Sequence, residues 1–168
     1  MKKLTATLTL LMLMFTLTAT QLDIVGNFQE PFKPGWAPKF WNKVSGSKGD
    51  LEFVSTEIGN AVMLTSEPKS RFGIYSKMVA AKANDKIKIT ANVRGEKITF
   101  AIFQYSGKAS NSVLKKVLTS TIEGKNLEAI FTIKDTPKGK TDNIRIAFFV
   151  ENNSAASLIN VKAFLLEE

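Results

Sequence analysis

Ile87-Lys-Ile-Thr-Ala-Asn-Val-Arg94, a short turn at Gly95-Glu96, then Lys97-Ile-Thr-Phe-Ala-Ile-Phe-Gln-Tyr105: apolar side chains recur at every second residue, which is the period of a strand. Ile87, Ile89, Ala91 and Val93 fall on one face, and Lys88, Thr90, Asn92 and Arg94 on the other, because successive Cβ atoms point to opposite sides of a pleated sheet. The pattern returns at Asn143-Ile-Arg-Ile-Ala-Phe-Phe-Val-Glu151. There Ile144, Ile146, Phe148 and Val150 face inward and Arg145, Ala147, Phe149 and Glu151 face out. One face of each strand builds a core, and function is expected on the other.

With these three, the strands expected are 50–56, 61–65, 72–79, 87–94, 98–105, 113–120, 127–133, 143–151 and 158–166, with turns at Ile58-Gly59-Asn60 and Ser66-Glu-Pro-Lys-Ser70. Residues 113–118 also read as a short helix, since Val113, Leu114, Val117 and Leu118 have helical spacing. Residues 21–40 carry Pro31, Pro34 and Pro38 and are expected to be extended with turns. About nine short strands separated by turn signals predict an all-β, two-sheet antiparallel β-sandwich.

Residues 1–20 are set aside as a secretory signal peptide. Met1-Lys2-Lys3 is a basic n-region, an apolar stretch covers 8–17, and Thr18, Ala19 and Thr20 are small. That stretch is shorter than the roughly 20 residues of a membrane span. The mature chain is expected to begin near Gln21, to form one domain over 21–168, and to be secreted, periplasmic or extracellular, with no membrane span after cleavage. Loss of Lys2 and Lys3 lowers the formal net charge from +8 by two. The cations are dispersed, with only Lys115 and Lys116 adjacent, so nucleic acid is not an expected partner.

The chain has no cysteine and no histidine. Without disulfides, stability has to come from a sizeable apolar core. Without histidine, the commonest general base at neutral pH, His-dependent triads and His- or Cys-ligated zinc are excluded.

By alternation, Phe103, Tyr105 and Phe149 stand on faces opposite the core, and exposed rings need an explanation. Either a neighbouring segment covers them, or they form a platform on which sugar rings stack, with Asn92, Arg94, Gln104 or Glu151 bonding the hydroxyls. Trp36 is expected to pack against the core or sheet edge. Trp41 reads equally as core or as the rim of a cleft.

Asn27-Phe28-Gln29-Glu30, Pro34-Gly35-Trp36, Gly59-Asn-Ala-Val-Met-Leu-Thr-Ser66, Ile74-Tyr75-Ser76-Lys77, Asp85-Lys-Ile-Lys-Ile-Thr-Ala-Asn-Val-Arg-Gly95 and Leu158-Ile-Asn-Val-Lys-Ala-Phe164 follow in an order that resembles the carbohydrate-binding modules of families four, nine and twenty-two, across nearly the whole mature chain. The resemblance implies a galactose-binding-like jelly-roll and a non-catalytic module that holds a polysaccharide on a concave sheet face. The cleft residues it implies are Tyr75, Asn92, Arg94, Phe103, Tyr105, Arg145, Phe149 and Glu151. It implies no organic cofactor. Relatives place a structural calcium ion between a Glu and an Asp, where this chain has Gln29 and Asn160. Amides supply less charge than carboxylates, so calcium is expected to bind weakly or not at all, with Glu30 as the substitute donor beside Asn160.

Two rival readings stand beside this one. A structural or protein-binding, adhesin-like sandwich is built from the same strands. A polysaccharide lyase is the enzyme alternative, since Arg94, Gln104 and Tyr105 offer three of the residue types such enzymes use. A hydrolase needs two carboxylates across one cleft, and Glu151 has no partner evident in the sequence.

Overall fold

In a computed structural model, which describes residues 19–28 and 36–167, the chain is an antiparallel two-sheet β-sandwich. Its strands are β1 (Ala19–Leu22), β2 (Trp41–Lys43), β3 (Gly49–Thr56), β4 (Gly59–Ser66), β5 (Arg71–Ser76), β6 (Val79–Ala80), β7 (Lys86–Gly95), β8 (Lys97–Ser106), β9 (Ala109–Thr119), β10 (Lys125–Thr132), β11 (Asn143–Glu151) and β12 (Ala155–Leu166). The first sheet runs β10-β7-β12-β4-β3, with β1 also on β12; the second runs β2-β5-β11-β8-β9, with β6 also on β11. Residues 113–118 lie within strand β9, where the helical reading loses to cross-strand pairing of Val113 with Phe103 and Leu118 with Ile98.

The expected alternation holds. Ile87, Ile89, Ala91 and Val93 of the first sheet face Ile98, Phe100, Ile102, Ile144, Ile146, Phe148 and Val150 of the second in one apolar cluster. Each fully buried Ile, Leu or Phe there contributes about 1.5–3 kcal/mol, and Phe100 meets Phe148 edge-on at 4.9 Å. Trp41 closes this core, 4% exposed, with Phe28 at 5.8 Å and Phe148 at 5.9 Å. Its indole N–H donates to the Val25 carbonyl at 3.0 Å and ties the N-terminal segment down. Trp36 reverses its expectation: it is 64% exposed, and Trp41 takes the packing role.

The turn at Gly95 decides where the functional side chains go. β7 belongs to the first sheet and β8 to the second, so Gly95-Glu96 is a corner between layers and not a hairpin within one. Gly95 adopts φ 131°, and a Cβ there would stand 2.5 Å from the Ala155 carbonyl oxygen; both conditions select glycine. The chain returns alongside. Gly95 N–H donates to Thr121 O at 3.1 Å, Ser120 N–H to Glu96 O at 2.9 Å, and the Ser120 hydroxyl to Val93 O.

β1 pairs Ala19 with Leu166 and Gln21 with Phe164, so the strand spans the expected start of the mature chain. Among the described residues, no helix is long and apolar enough to cross a membrane.

Candidate functional site

The outer face of the second sheet is built from three kinds of residue. Gly73, Thr99, Ala101 and Ala147 keep its floor low. Around that floor stand Tyr75 from β5, Phe103 and Tyr105 from β8, and Phe149 from β11. The register fixes their order: Ala147 lies between Tyr75 and Ala101, Arg145 beside Phe103, Asn143 beside Tyr105, and Phe149 between Gly73 and Thr99.

The rings form a chain of edge contacts, Tyr75 to Phe103 at 6.2 Å and Phe103 to Phe149 at 6.0 Å. The Arg145 guanidinium lies 4.6 Å from the Tyr75 ring centroid and 5.7 Å from that of Tyr105, so it is held by aromatic faces. Arg145 Nη1 donates weakly to the Ser76 carbonyl at 3.5 Å, and its buried Nε has no hydrogen-bond partner. Tyr75, Phe103 and Tyr105 are half-buried. They present ring surface to solvent while their neighbours fix their orientation.

Phe149 behaves differently. It is on the outer face, as alternation requires, yet only 1% exposed. Its ring fills the space above Gly73, where a Cβ would stand 2.3 Å from Phe149 Cδ1. Arg71 covers it, the guanidinium 4.6 Å from the centroid, and Val44 and Phe103 pack beside it. Phe149 therefore supports the platform from below and offers a ligand no ring face. Glu151 is exposed at the end of β11, in register with Arg71. It shares a depression of about 410 Å³ with Glu96 and Lys97. Glu96 is a neighbour the sequence did not reveal, and both carboxyls are exposed.

Asn92 and Arg94 are not brought together with the other candidates. Both lie on the outer face of the first sheet, because the Gly95 corner separates β7 from β8. There they sit beneath the turn at Gly124, where a Cβ would be 3.0 Å from Arg94 Cγ and 3.4 Å from Asn92 Oδ1. Asn92 Nδ2 donates to Asn126 Oδ1 at 3.1 Å. Asn92, Asn126 and Asn160 line a separate depression of about 600 Å³ with Thr90, Glu128 and Lys162.

Gln104 points inward, buried, its Oε1 accepting from Lys134 N–H at 3.0 Å. It is absent from the platform, which separates it from Tyr105. Asn160 occupies the bulge of β12 between Ile159 and Lys162, with φ 50°. Gln29 and Glu30 lie outside the described residues. Among the described residues, no group of three or more His, Cys, Asp or Glu side chains comes together.

Asn42, Arg71, Lys97, Val113, Lys115 and Val117 also stand on this face and were not among the expected site residues. Arg71 was recoverable from alternation along β5. Lys115 was not, because residues 113–118 read two ways.

No family model matches the chain, and no curated protein matches it. Solved structures share its fold at low identity. A family 11 carbohydrate-binding module from a Clostridium thermocellum cellulosomal cellulase superposes with a TM-score of 0.56 at 17% identity, over 88% of this chain and 95% of that one. A Stig cyclase from Fischerella sp. TAU gives a TM-score of 0.61 at 12% identity, over 89% and 98%. The CBM22-1–GH10 portion of a Clostridium thermocellum xylanase gives 0.57 at 13% identity, over 82% of this chain and 27% of that one. These likenesses establish the jelly-roll sandwich of carbohydrate-binding modules as this chain's fold. The same fold also carries a cyclase, so function has to be argued from the site.

Proposed function

We propose that the protein is a secreted, non-catalytic carbohydrate-binding β-sandwich that holds a polysaccharide on the outer face of its second sheet. Tyr75, Phe103 and Tyr105 supply the stacking surface, Arg145 and Glu151 the polar contacts, and Phe149 the support beneath. The observation that carries this reading is the row of three half-exposed rings around the small residues Gly73, Ala101 and Ala147. A sandwich needs none of these rings for its interior, which the opposite faces of the same strands already fill.

Stacking suits sugars because an apolar ring face removes sugar C–H surface from water while hydroxyls stay available at the edge. Each aromatic contact contributes about 0.5–1.5 kcal/mol beyond area burial, so affinity arises from several rings together. Asn92 and Arg94 do not belong to this site. The carbohydrate-binding modules that share the fold support the reading, one of them solved with a β-1,3-1,4-mixed-linked tetrasaccharide.

Secretion rests on residues 1–20 as a signal peptide. Cleavage before Gln21 would remove the pairs of Ala19 with Leu166 and Thr20 with Leu165 and leave Gln21 and Leu22 paired with Phe164 and Ala163. A glycan array and a pull-down on insoluble polysaccharides test the function. Retention that weakens in Tyr105→Ala supports it, and retention on no glycan removes it.

A further inference from the structure

The charge on the two outer faces is unequal. On the second sheet, alternation and register place Arg71, Lys97, Lys115 and Arg145 outward with a single carboxylate, Glu151; Glu96 stands in the corner at the rim. On the first sheet, Lys86, Lys88, Arg94 and Lys162 share the outer face with Asp50, Glu52 and Glu128. The excess positive charge is therefore concentrated on the face with the rings. Among the described residues, no carboxylate lies within ion-pair distance of Arg71, Lys97, Lys115 or Arg145, whereas Lys77 pairs with Asp23 and Lys88 with Glu128.

Arg145 sharpens the point. Its guanidinium is held over Tyr75 and near Tyr105, with Nε buried and unpartnered and Nη1 making one long bond. For neutral hydroxyls alone an amide would serve, without the cost of desolvating a cation. A guanidinium matches a carboxylate or sulfate through two parallel N–H bonds. Strand geometry sets the spacing. Arg145 and Lys115 are two strands and two residues apart, roughly 12 Å between Cα atoms, and Arg71 is one strand and six residues from Arg145, roughly 20 Å. One small anion cannot reach such separated cations, but a chain with charges along its length can.

Resting on the carbohydrate-binding reading, we propose that the ligand is a polyanionic polysaccharide, its carboxylate or sulfate groups meeting Arg145, Lys115 and Arg71 while its sugar rings lie on Tyr75, Phe103 and Tyr105. Single-stranded nucleic acid, which also combines charge with stacking, is the rival polyanion. The expected secretory signal disfavours it.

The test uses the full chain against matched probes: polygalacturonate and its fully methyl-esterified form, dextran sulfate and dextran, mixed-linked β-glucan, and single-stranded DNA. Binding to polygalacturonate or dextran sulfate is expected to exceed that to the neutral counterpart about tenfold or more. It should weaken about tenfold between low salt and 0.5 M NaCl. Arg145→Gln and, where that variant folds poorly by circular dichroism, the exposed Lys115→Gln should each lower anionic binding several-fold, while Lys162→Gln on the opposite face leaves it unchanged. Equal or tighter binding to the neutral probes overturns the polyanion proposal and keeps the carbohydrate reading. Binding to no glycan overturns both, and DNA bound as tightly as the anionic glycans overturns the assignment to a polysaccharide.

Discussion

Phe149→Ala separates a ring that supports the platform from a ring that touches the ligand. Phe149 is 1% exposed, wedged above Gly73 with Phe103 at 6.0 Å and Arg71 over its face. Truncation removes a buried aromatic side chain, for which about 3–5 kcal/mol is typical. The lower end applies here, because the Arg71 side chain lies over the ring and water can enter the gap once the ring is gone. About 3 kcal/mol corresponds to a Tm decrease of roughly 6–12 °C for a domain of this size. Urea unfolding followed by tryptophan fluorescence is a suitable assay, since buried Trp41 lies in the same sandwich; the midpoint should fall at nearly constant m-value. Phe149→Leu, which retains most of the volume, should lose about 1 kcal/mol. A loss below about 1 kcal/mol in Phe149→Ala, combined with abolished glycan binding, would refute the burial argument and make Phe149 a direct stacking residue.

Gly95→Ala forces an L side chain to φ 131° and sets a Cβ 2.5 Å from the Ala155 carbonyl; a loss of about 2 kcal/mol or more is expected in thermal unfolding. Trp41→Phe retains ring packing on Phe28 and Phe148 but removes the donor to the half-buried Val25 carbonyl. Equilibrium unfolding should register about 1–3 kcal/mol. Tyr105→Ala should weaken retention on a bound glycan about 3- to 10-fold in isothermal titration. Asn92→Ala, on the opposite sheet, should leave that affinity unchanged.

The division into inward and outward side chains was legible in the sequence because period two is local: Ile144, Ile146, Phe148 and Val150 announce their face without reference to any other strand. Membership of a sheet is not local. Gly95-Glu96 reads as a tight turn whether it closes a hairpin or rounds a corner. The corner geometry depends on contact with Ala155, sixty residues onward, and this is why Asn92 and Arg94 part from Phe103 and Tyr105. Exposure is likewise set by neighbours in space. Phe149 points outward as expected, but Arg71 from β5 lies over its ring and Val44, just after β2, packs against the same cluster. The expectation for Trp36 failed and the tie for Trp41 was settled as core because the partners that decide, the Val25 carbonyl and Phe148, are distant in the chain. Lys115 was obscured by a segment whose apolar spacing satisfied both helix and strand, a tie broken only by pairing with β8.

Amide chemical-shift mapping during titration with an oligosaccharide of the retained polysaccharide locates the binding face. Shifts are expected to cluster at Tyr75, Phe103, Tyr105 and Arg145 on the second sheet. A response centred on Asn92, Arg94 and Asn126 of the first sheet would contradict this placement.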